Sequence, residues 1–170
     1  MKGYLFETNT LSALLSTDHA HHAAAVAIVQ SLPDDALKFV SCVALAELQF
    51  GRELIVAFTG KDPTQLTQTL TRASAGAVLD VTRHTASNYA ELKANLAKTY
   101  LAKWMRKDRP RWVENWIDKA TGQHLQVDEN DLWICAQARE HDLILVTADH
   151  GIRRIAQADP AVQLLLVDCC

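Results

Sequence analysis

Four acids in this chain sit where acids are expensive or conspicuous. Glu7 ends the apolar run Tyr4-Leu5-Phe6 and is followed by Thr8 and Asn9. Glu47 interrupts the stretch from Val43 to Phe50. Asp131 lies in Asn130-Asp131-Leu132-Trp133-Ile134-Cys135-Ala136, and Asp149 follows the run from Leu143 to Ala148. Each alone reads as a helix cap or a turn residue. Gathered at one place they would repel by about 4 kcal/mol per pair, at 4 Å and an effective dielectric near 20, so the cluster would need a counterion. Oxygen-only ligands favour a hard divalent cation such as Mg²⁺ or Mn²⁺ over zinc. Such an ion accepts phosphate oxygens, activates a water for attack on phosphorus and stabilises the leaving oxygen, so phosphodiester hydrolysis is the chemistry suggested. Thr8, Asn9 and Thr147 supply short polar groups to orient the acids or the water.

The elements that must position these acids follow from the apolar pattern. A short apolar run stopped by polar turn formers reads as a buried strand, which puts Glu7 at the carboxyl edge of a sheet, where open α/β sheets bind ligands. Leu11 to Leu15 suggests a helical turn, and Asp18 is placed to cap a second helix that Pro33 ends. Leu37 to Cys42 reads as a strand, with Ser41 starting a helix that carries Glu47 and, one turn on, Gly51. Asp62-Pro63 predicts a helix start with the aspartate as cap, and Val78 to Val81 a third strand. A helix with Tyr89, Leu92 and Leu96 on one face follows. Further on, Asp128 or Glu129 starts a mostly buried helix with Asp131, Leu143 to Thr147 forms a fourth strand, Ile152 to Ala158 a short helix and Val162 to Val167 a fifth strand. Strand and helix in alternation imply a parallel α/β sheet with right-handed crossovers.

With 170 residues, 49% hydrophobic and 22% charged, the chain fits one domain with a good core. No stretch reaches the roughly 18 apolar residues of a membrane span, and Glu7 cuts short any signal-peptide pattern, so a cytoplasmic protein is expected. Cys42, Cys135, Cys169 and Cys170 lack paired metal-ligand spacing and read as reduced thiols. His19, His21 and His22 crowd an alanine-rich helix, where a solvated face is expected rather than a metal site. The six glycines are scattered singly, so no phosphate-cradling loop exists, and no Ser or Cys sits in a nucleophile elbow.

Residues 98–119 break the rhythm. Seven bases (Lys98, Lys103, Arg106, Lys107, Arg109, Arg111, Lys119) face three acids there, a local +4 within a total of −3, and three of the four tryptophans (Trp104, Trp112, Trp116) share the window. Two readings are open. Cations interleaved with flat side chains suit single-stranded or looped RNA, with Lys103, Arg106, Lys107, Arg109 and Arg111 on phosphates. Alternatively the segment, taken as a helical insertion over about 98–122, is an amphipathic hairpin in which Trp112 and Trp116 pack at helical spacing.

The motifs Glu7-Thr8-Asn9, Ala46-Glu47-Leu48-Gln49-Phe50-Gly51, Asn130-Asp131-Leu132-Trp133-Ile134-Cys135-Ala136-Gln137-Ala138 and Leu145-Val146-Thr147-Ala148-Asp149 occur in this order over nearly the whole chain. Together they resemble PIN-domain ribonucleases, especially VapC-type toxins of bacterial toxin-antitoxin systems. The resemblance implies a three-layer α/β/α fold around a parallel sheet of about five strands and a Mg²⁺ or Mn²⁺ site at Glu7, Glu47, Asp131 and Asp149. It also implies RNA cleavage, homodimerisation and inhibition by a cognate antitoxin. The family pattern has aspartate where this chain has Glu7, which moves that carboxylate about 1.5 Å outward. Since Mg²⁺ demands near-ideal octahedral geometry, Glu7 admits two outcomes: a working or attenuated nuclease, or a weakly catalytic PIN-like module that binds RNA or a partner protein.

Overall fold

A computed structural model describes residues 2–103 and 108–167. Five parallel strands form one sheet: β1 (Gly3–Phe6), β2 (Leu37–Ser41), β3 (Ala77–Leu79), β4 (Ile144–Thr147) and β5 (Gln163–Leu166), in the spatial order β3-β2-β1-β4-β5. The connections are α1 (Thr8–Leu15) and α2 (His22–Ser31), α3 (Cys42–Thr59) and α4 (Thr64–Ser74), α5 (Arg83–Tyr100) and α6 (Glu129–Glu140), and α7 (Arg153–Ala158). Phe6 of β1 pairs with Val40 on one side and Val146 on the other. The chain thus winds outward from β1 to β3, then returns to β4 on the opposite side of β1. The strand order reverses between β1 and β4, the place where open α/β sheets bind ligands beyond the carboxyl ends of their strands.

Alternation along β1 feeds two layers of helices. Leu5 and Leu145 point into a large core with Leu92 and Leu96 of α5, Leu132 and Ile134 of α6, and Ile155 of α7. Tyr4, Phe6 and Val146 point the other way, onto Ala13 of α1 and Ala25 of α2. A third cluster joins Leu11, Val40, Leu48 and Leu70, filling the space between α1, β2, α3 and α4. Among the described residues no helix is long and apolar enough to cross a membrane.

Ser41 caps α3 as expected, accepting from the amides of Val43 and Ala44 at 3.0 and 3.4 Å. Its own hydroxyl donates to Gln137 Oε1 at 2.5 Å, and Gln137 Nε2 donates to the Leu79 carbonyl at 2.9 Å, so one buried amide ties α3, α6 and β3 together. Two other expected caps differ. His21, not Asp18, precedes α2, and Asp18 instead accepts from Gln65 Nε2 at 3.0 Å, reaching across to α4. Asp62 stands one residue too early to cap α4, whose flanking residue is Pro63; it is drawn to Arg52 and to the Thr67 hydroxyl, 2.6 Å away. The third strand ends at Leu79 rather than Val81, because its partner β2 turns into α3 at Ser41, the residue paired with Leu79.

Among its described residues the segment after α5 holds no helical hairpin. Helix α5 ends at Tyr100; beyond Lys103 the described residues hold a 3-10 turn at Val113–Asn115 and an antiparallel bridge between Ile117 and His124 before α6 begins. Trp104, Arg106 and Lys107 lie outside the described residues. Trp112 and Trp116 therefore do not pair along a helix. Trp116 is 1% exposed in the main core and donates its indole N–H to the Pro110 carbonyl at 2.9 Å, whereas Trp112 is 51% exposed with the Arg111 guanidinium 4.7 Å from its ring centre. The segment belongs to the core through Trp116, Val113, Leu125 and Val127. Cys42 and Cys135 are free thiols, Cys169 and Cys170 lie outside the described residues, and His22 is partly buried with its Nδ1 2.8 Å from the Ala13 carbonyl.

Because Trp116 fills the core from a non-helical loop, Trp116→Ala is expected to cost about 3–5 kcal/mol. Urea unfolding should show a lower midpoint with an unchanged slope; a drop below about 1 kcal/mol would mean that the loop packs independently of the core.

Candidate active site

Three of the four acids lie on the edge beyond β1 and β4, near enough that the charges of Glu7 and Asp149 act on Asp131. Glu7 follows β1 directly and is 3% exposed; its amide donates to the Val146 carbonyl at 3.2 Å, which fixes it beside the neighbouring strand. Its carboxylate turns back to cap α1, accepting from the Asn9 amide at 2.6 Å and from the Thr10 hydroxyl at 3.3 Å. A negative cap at a helix N-terminus is electrostatically favoured. Burial nevertheless pushes the Glu7 carboxyl above its ordinary range, with the Asn9 amide and the hydroxyls of Thr147 and Thr10 pulling the other way.

Asp131 sits in the first turn of α6 in a reciprocal cap with Asp128: each carboxylate accepts from the other residue's amide, at 2.8 and 2.9 Å. Burial raises the Asp131 carboxyl from its ordinary value of 3.8 to about 8, and the charges of Asp128, Asp149 and Glu7 add to the rise. Asp149 follows β4, its amide bonded to Thr147 Oγ1 at 2.9 Å and its Oδ1 accepting from the Gly151 amide at 2.6 Å. Gly151 is confined as well: a Cβ there would meet the Gln126 carbonyl oxygen at 2.1 Å, so the turn that aims Asp149 packs against the loop leading into α6.

Glu47 reaches the same edge from α3 by a separate route. It accepts from the Thr8 hydroxyl and, at 2.9 Å, from Asn130 Nδ2, so residues adjoining Glu7 and Asp131 hold it between them. Asn9 serves through its amide, capped by Glu7. Asp128 caps α6, as one of the two expected helix starts; Asn130 and Thr10 are further participants, marked in the sequence by an amide adjoining Asp131 and a hydroxyl three residues after Glu7.

The donor set fits a hard cation in charge, although a closed cage is not formed. No ion pair among the described residues reaches Glu7, Glu47, Asp131 or Asp149. Buried like charges without a cation are the condition that raises a carboxyl to about 8. Yet no three His, Cys, Asp or Glu side chains among the described residues converge closely enough to hold an ion, because Glu7 and Asp131 spend oxygens on capping.

The basic residues do not gather at this crevice as one set. Lys103 and Arg109 line a cavity beside α5, Arg111 stacks on Trp112, and Arg106 and Lys107 lie outside the described residues. Glu129, two residues before Asp131, accepts from Lys93, from the Tyr89 hydroxyl and, at 3.2 Å, from the Val113 amide. Tyr89 also stacks on Trp133, with ring centres 4.0 Å apart.

The sequence profile of the PIN domain matches residues 4–158, and the chain belongs to this family. No curated protein matches the sequence significantly. Solved structures share the fold at low identity. VapBC2 from Rickettsia felis bound to a promoter DNA fragment is 20% identical with a TM-score of 0.64, over 96% of this chain and 98% of that one. DNA-bound VapBC from Salmonella typhimurium is 21% identical with a TM-score of 0.63, over 99% and 100%. VapC20 from Mycobacterium tuberculosis, described as a Sarcin-Ricin loop cleaving toxin, is 16% identical with a TM-score of 0.53, over 88% and 92%.

Two outcomes test this geometry. Because the folded protein holds a proton on Asp131 between pH 3.8 and about 8 that the unfolded chain releases, that residue's contribution to stability is complete below the window and lost as pH rises through it. In metal-free buffer the melting temperature should fall across this range, and Asp131→Asn should flatten the fall; parallel curves for the two proteins would refute the assignment. Gly151→Ala should cost about 1–3 kcal/mol through its contact with Gln126, read as a loss in urea midpoint, and wild-type stability would contradict the close approach.

Proposed function

We propose that this protein is a divalent-metal-dependent endoribonuclease of the VapC toxin kind, restrained by a cognate antitoxin. The reading is carried by the raised Asp131 carboxyl, on which the charges of Glu7 and Asp149 from two other segments act, with no ion pair to these acids among the described residues. Membership of the PIN family and a fold shared with VapBC complexes support it. Glu7, Asp131 and Asp149, with Glu47 held beside them by Thr8 and Asn130, would hold Mg²⁺ or Mn²⁺. When bound, the ion supplies an activated water and charge neutralisation at a phosphodiester. The protein's part is to place the four carboxylates: β1 and β4 present two at the ends of paired strands, and the cap of α6 fixes the third. Thr147, fully buried, orients Glu7 through its hydroxyl and carries the Asp149 amide on the same oxygen.

A second reading rests on one specific feature. The Glu7 carboxylate is committed to its own helix, which leaves its oxygens partly used before any ion arrives. On that reading the chain is a weakly catalytic PIN module that binds RNA or a partner protein. Pairing with a second copy and a cytoplasmic location belong to either reading and follow from the toxin analogy.

Cleavage of total RNA in Mg²⁺ or Mn²⁺, beside the Glu7→Asp and Asp131→Asn forms, separates the two. The nuclease reading expects cleavage that Asp131→Asn lowers by about 10²-fold or more. It also expects a melting temperature that rises with Mn²⁺ in the parent chain and less in Asp131→Asn. Cleavage by Glu7→Asp alone would identify an attenuated nuclease. Absence of cleavage by both forms, with metal stabilisation intact, would favour the binding module.

A further inference from the structure

An ion pair mostly shielded from water stands at the start of α6 and uses none of the four acids. Lys93 and Tyr89, one turn apart on α5, both donate to the Glu129 carboxylate, and Lys93 Nζ also donates to the Tyr89 hydroxyl at 2.8 Å. The Val113 amide adds a further donor at 3.2 Å, and the Glu129 amide donates in turn to Glu114 Oε1 at 3.1 Å. The Lys93 and Glu129 side chains are 20% and 14% exposed. At that depth desolvation offsets much of the pair's attraction, so its contribution lies less in stability than in the geometry it fixes.

Tyr89 grips α6 twice. Its hydroxyl reaches Glu129 and its ring lies stacked on Trp133, 12° from parallel. Residues 129 and 133 share one face of α6, and Asp131 stands between them, roughly 200° round the axis from Glu129. Asp131 belongs to α6, whereas Glu7 and Asp149 belong to the sheet edge. The reciprocal cap with Asp128 fixes the Asp131 carboxylate relative to its own helix, not that helix relative to the sheet. Leu132 and Ile134 press α6 into the core, but apolar packing is not directional. A roll of about 10° would move a group about 6 Å from the helix axis by roughly 1 Å. Octahedral ligands at about 2.0–2.1 Å from Mg²⁺ tolerate little of that. We propose that Lys93, Tyr89 and Glu129 are positioning residues, a clamp that sets α6 at the rotation Asp131 needs to share a divalent cation with Glu7 and Asp149. The proposal rests on the metal reading of those acids.

Mn²⁺ binding by the full chain, followed through loss of the free ion's electron paramagnetic resonance signal, tests the clamp without a cleavage assay. Saturable binding that Asp131→Asn weakens is expected. Lys93→Met should then raise the dissociation constant about tenfold or more. The sign discriminates: removing a positive charge would by charge alone tighten a bound cation, whereas loss of positioning weakens it. Tyr89→Phe, which keeps the ring and changes no charge, should weaken binding as well, and it carries the test if Lys93→Met does not fold. Leu70→Ala, in the separate cluster between α3 and α4, should lower the melting temperature and leave Mn²⁺ binding unchanged. Binding as tight as the parent's, or tighter, in a folded Lys93→Met or Tyr89→Phe chain overturns the clamp and leaves the metal reading standing. An equal loss in Leu70→Ala does the same, because affinity would then follow stability alone. No saturable binding by the parent chain, or binding that Asp131→Asn leaves intact, overturns the metal reading and the clamp with it.

Discussion

Buried carboxyl groups beside the end of the central strand are the constraint under which the rest of the structure is arranged. Glu7 and Asp131 lie where water cannot solvate them well, and no lysine or arginine among the described residues relieves them. The protein instead offers dipoles. The first amides of α1 and α6, the hydroxyls of Thr10 and Thr147, and the reciprocal cap of Asp128 with Asp131 all point at carboxylates. Such groups lower the cost of the charge without cancelling it, and the Asp131 carboxyl stays raised. A core arginine beside them would have relieved that cost and removed the basis of the proposed metal site.

The loop between α5 and α6 is the second structural commitment. It is anchored at both ends of its reach: Trp116 enters the main core, and Val113 donates its amide to Glu129 at the start of α6. Gln126, at φ 56, presents its carbonyl to Gly151, so the loop also braces the turn that carries Asp149. Asp118 adds a further tie, accepting from the Ala120 amide at 2.9 Å and from Arg154 at 3.4 Å. A segment that looks by composition like an appended basic patch is thus part of the frame around two of the acids.

Strands and buried helices were legible because their signal is local: runs such as Leu143 to Thr147 and the face of Tyr89, Leu92 and Leu96 have few alternatives to burial. Ser41 could be placed as a cap because it stands directly between an apolar strand and an apolar helix. Asp18 and Asp62 could not, since each is drawn to a side chain distant in sequence, Gln65 for one and Arg52 for the other. Trp112 and Trp116 have helical spacing in a segment that is not helical; backbone conformation there follows from the burial of one indole, which spacing does not encode. The acids were found by type and company. Their unequal roles, with Glu7 capping its own helix and Glu47 suspended between Thr8 and Asn130, depend on rotamers that no pattern of residue types records.

The position of β1 has a consequence for when the crevice can exist. Its two walls come from opposite ends of the chain, Glu7 from the first strand and Asp149 after the fourth, and β1 lacks its second neighbour until β4 pairs with it. Pairing over so long a separation is slow and closes late, after the nearer β1–β2 contact. On a ribosome the first strands and helices can collapse while β4 is still unmade. The emerging polypeptide therefore lacks one wall of the crevice until β4 and Asp149 have been made. Glu7 and Asp149 can face each other only after the pairing that closes the sheet.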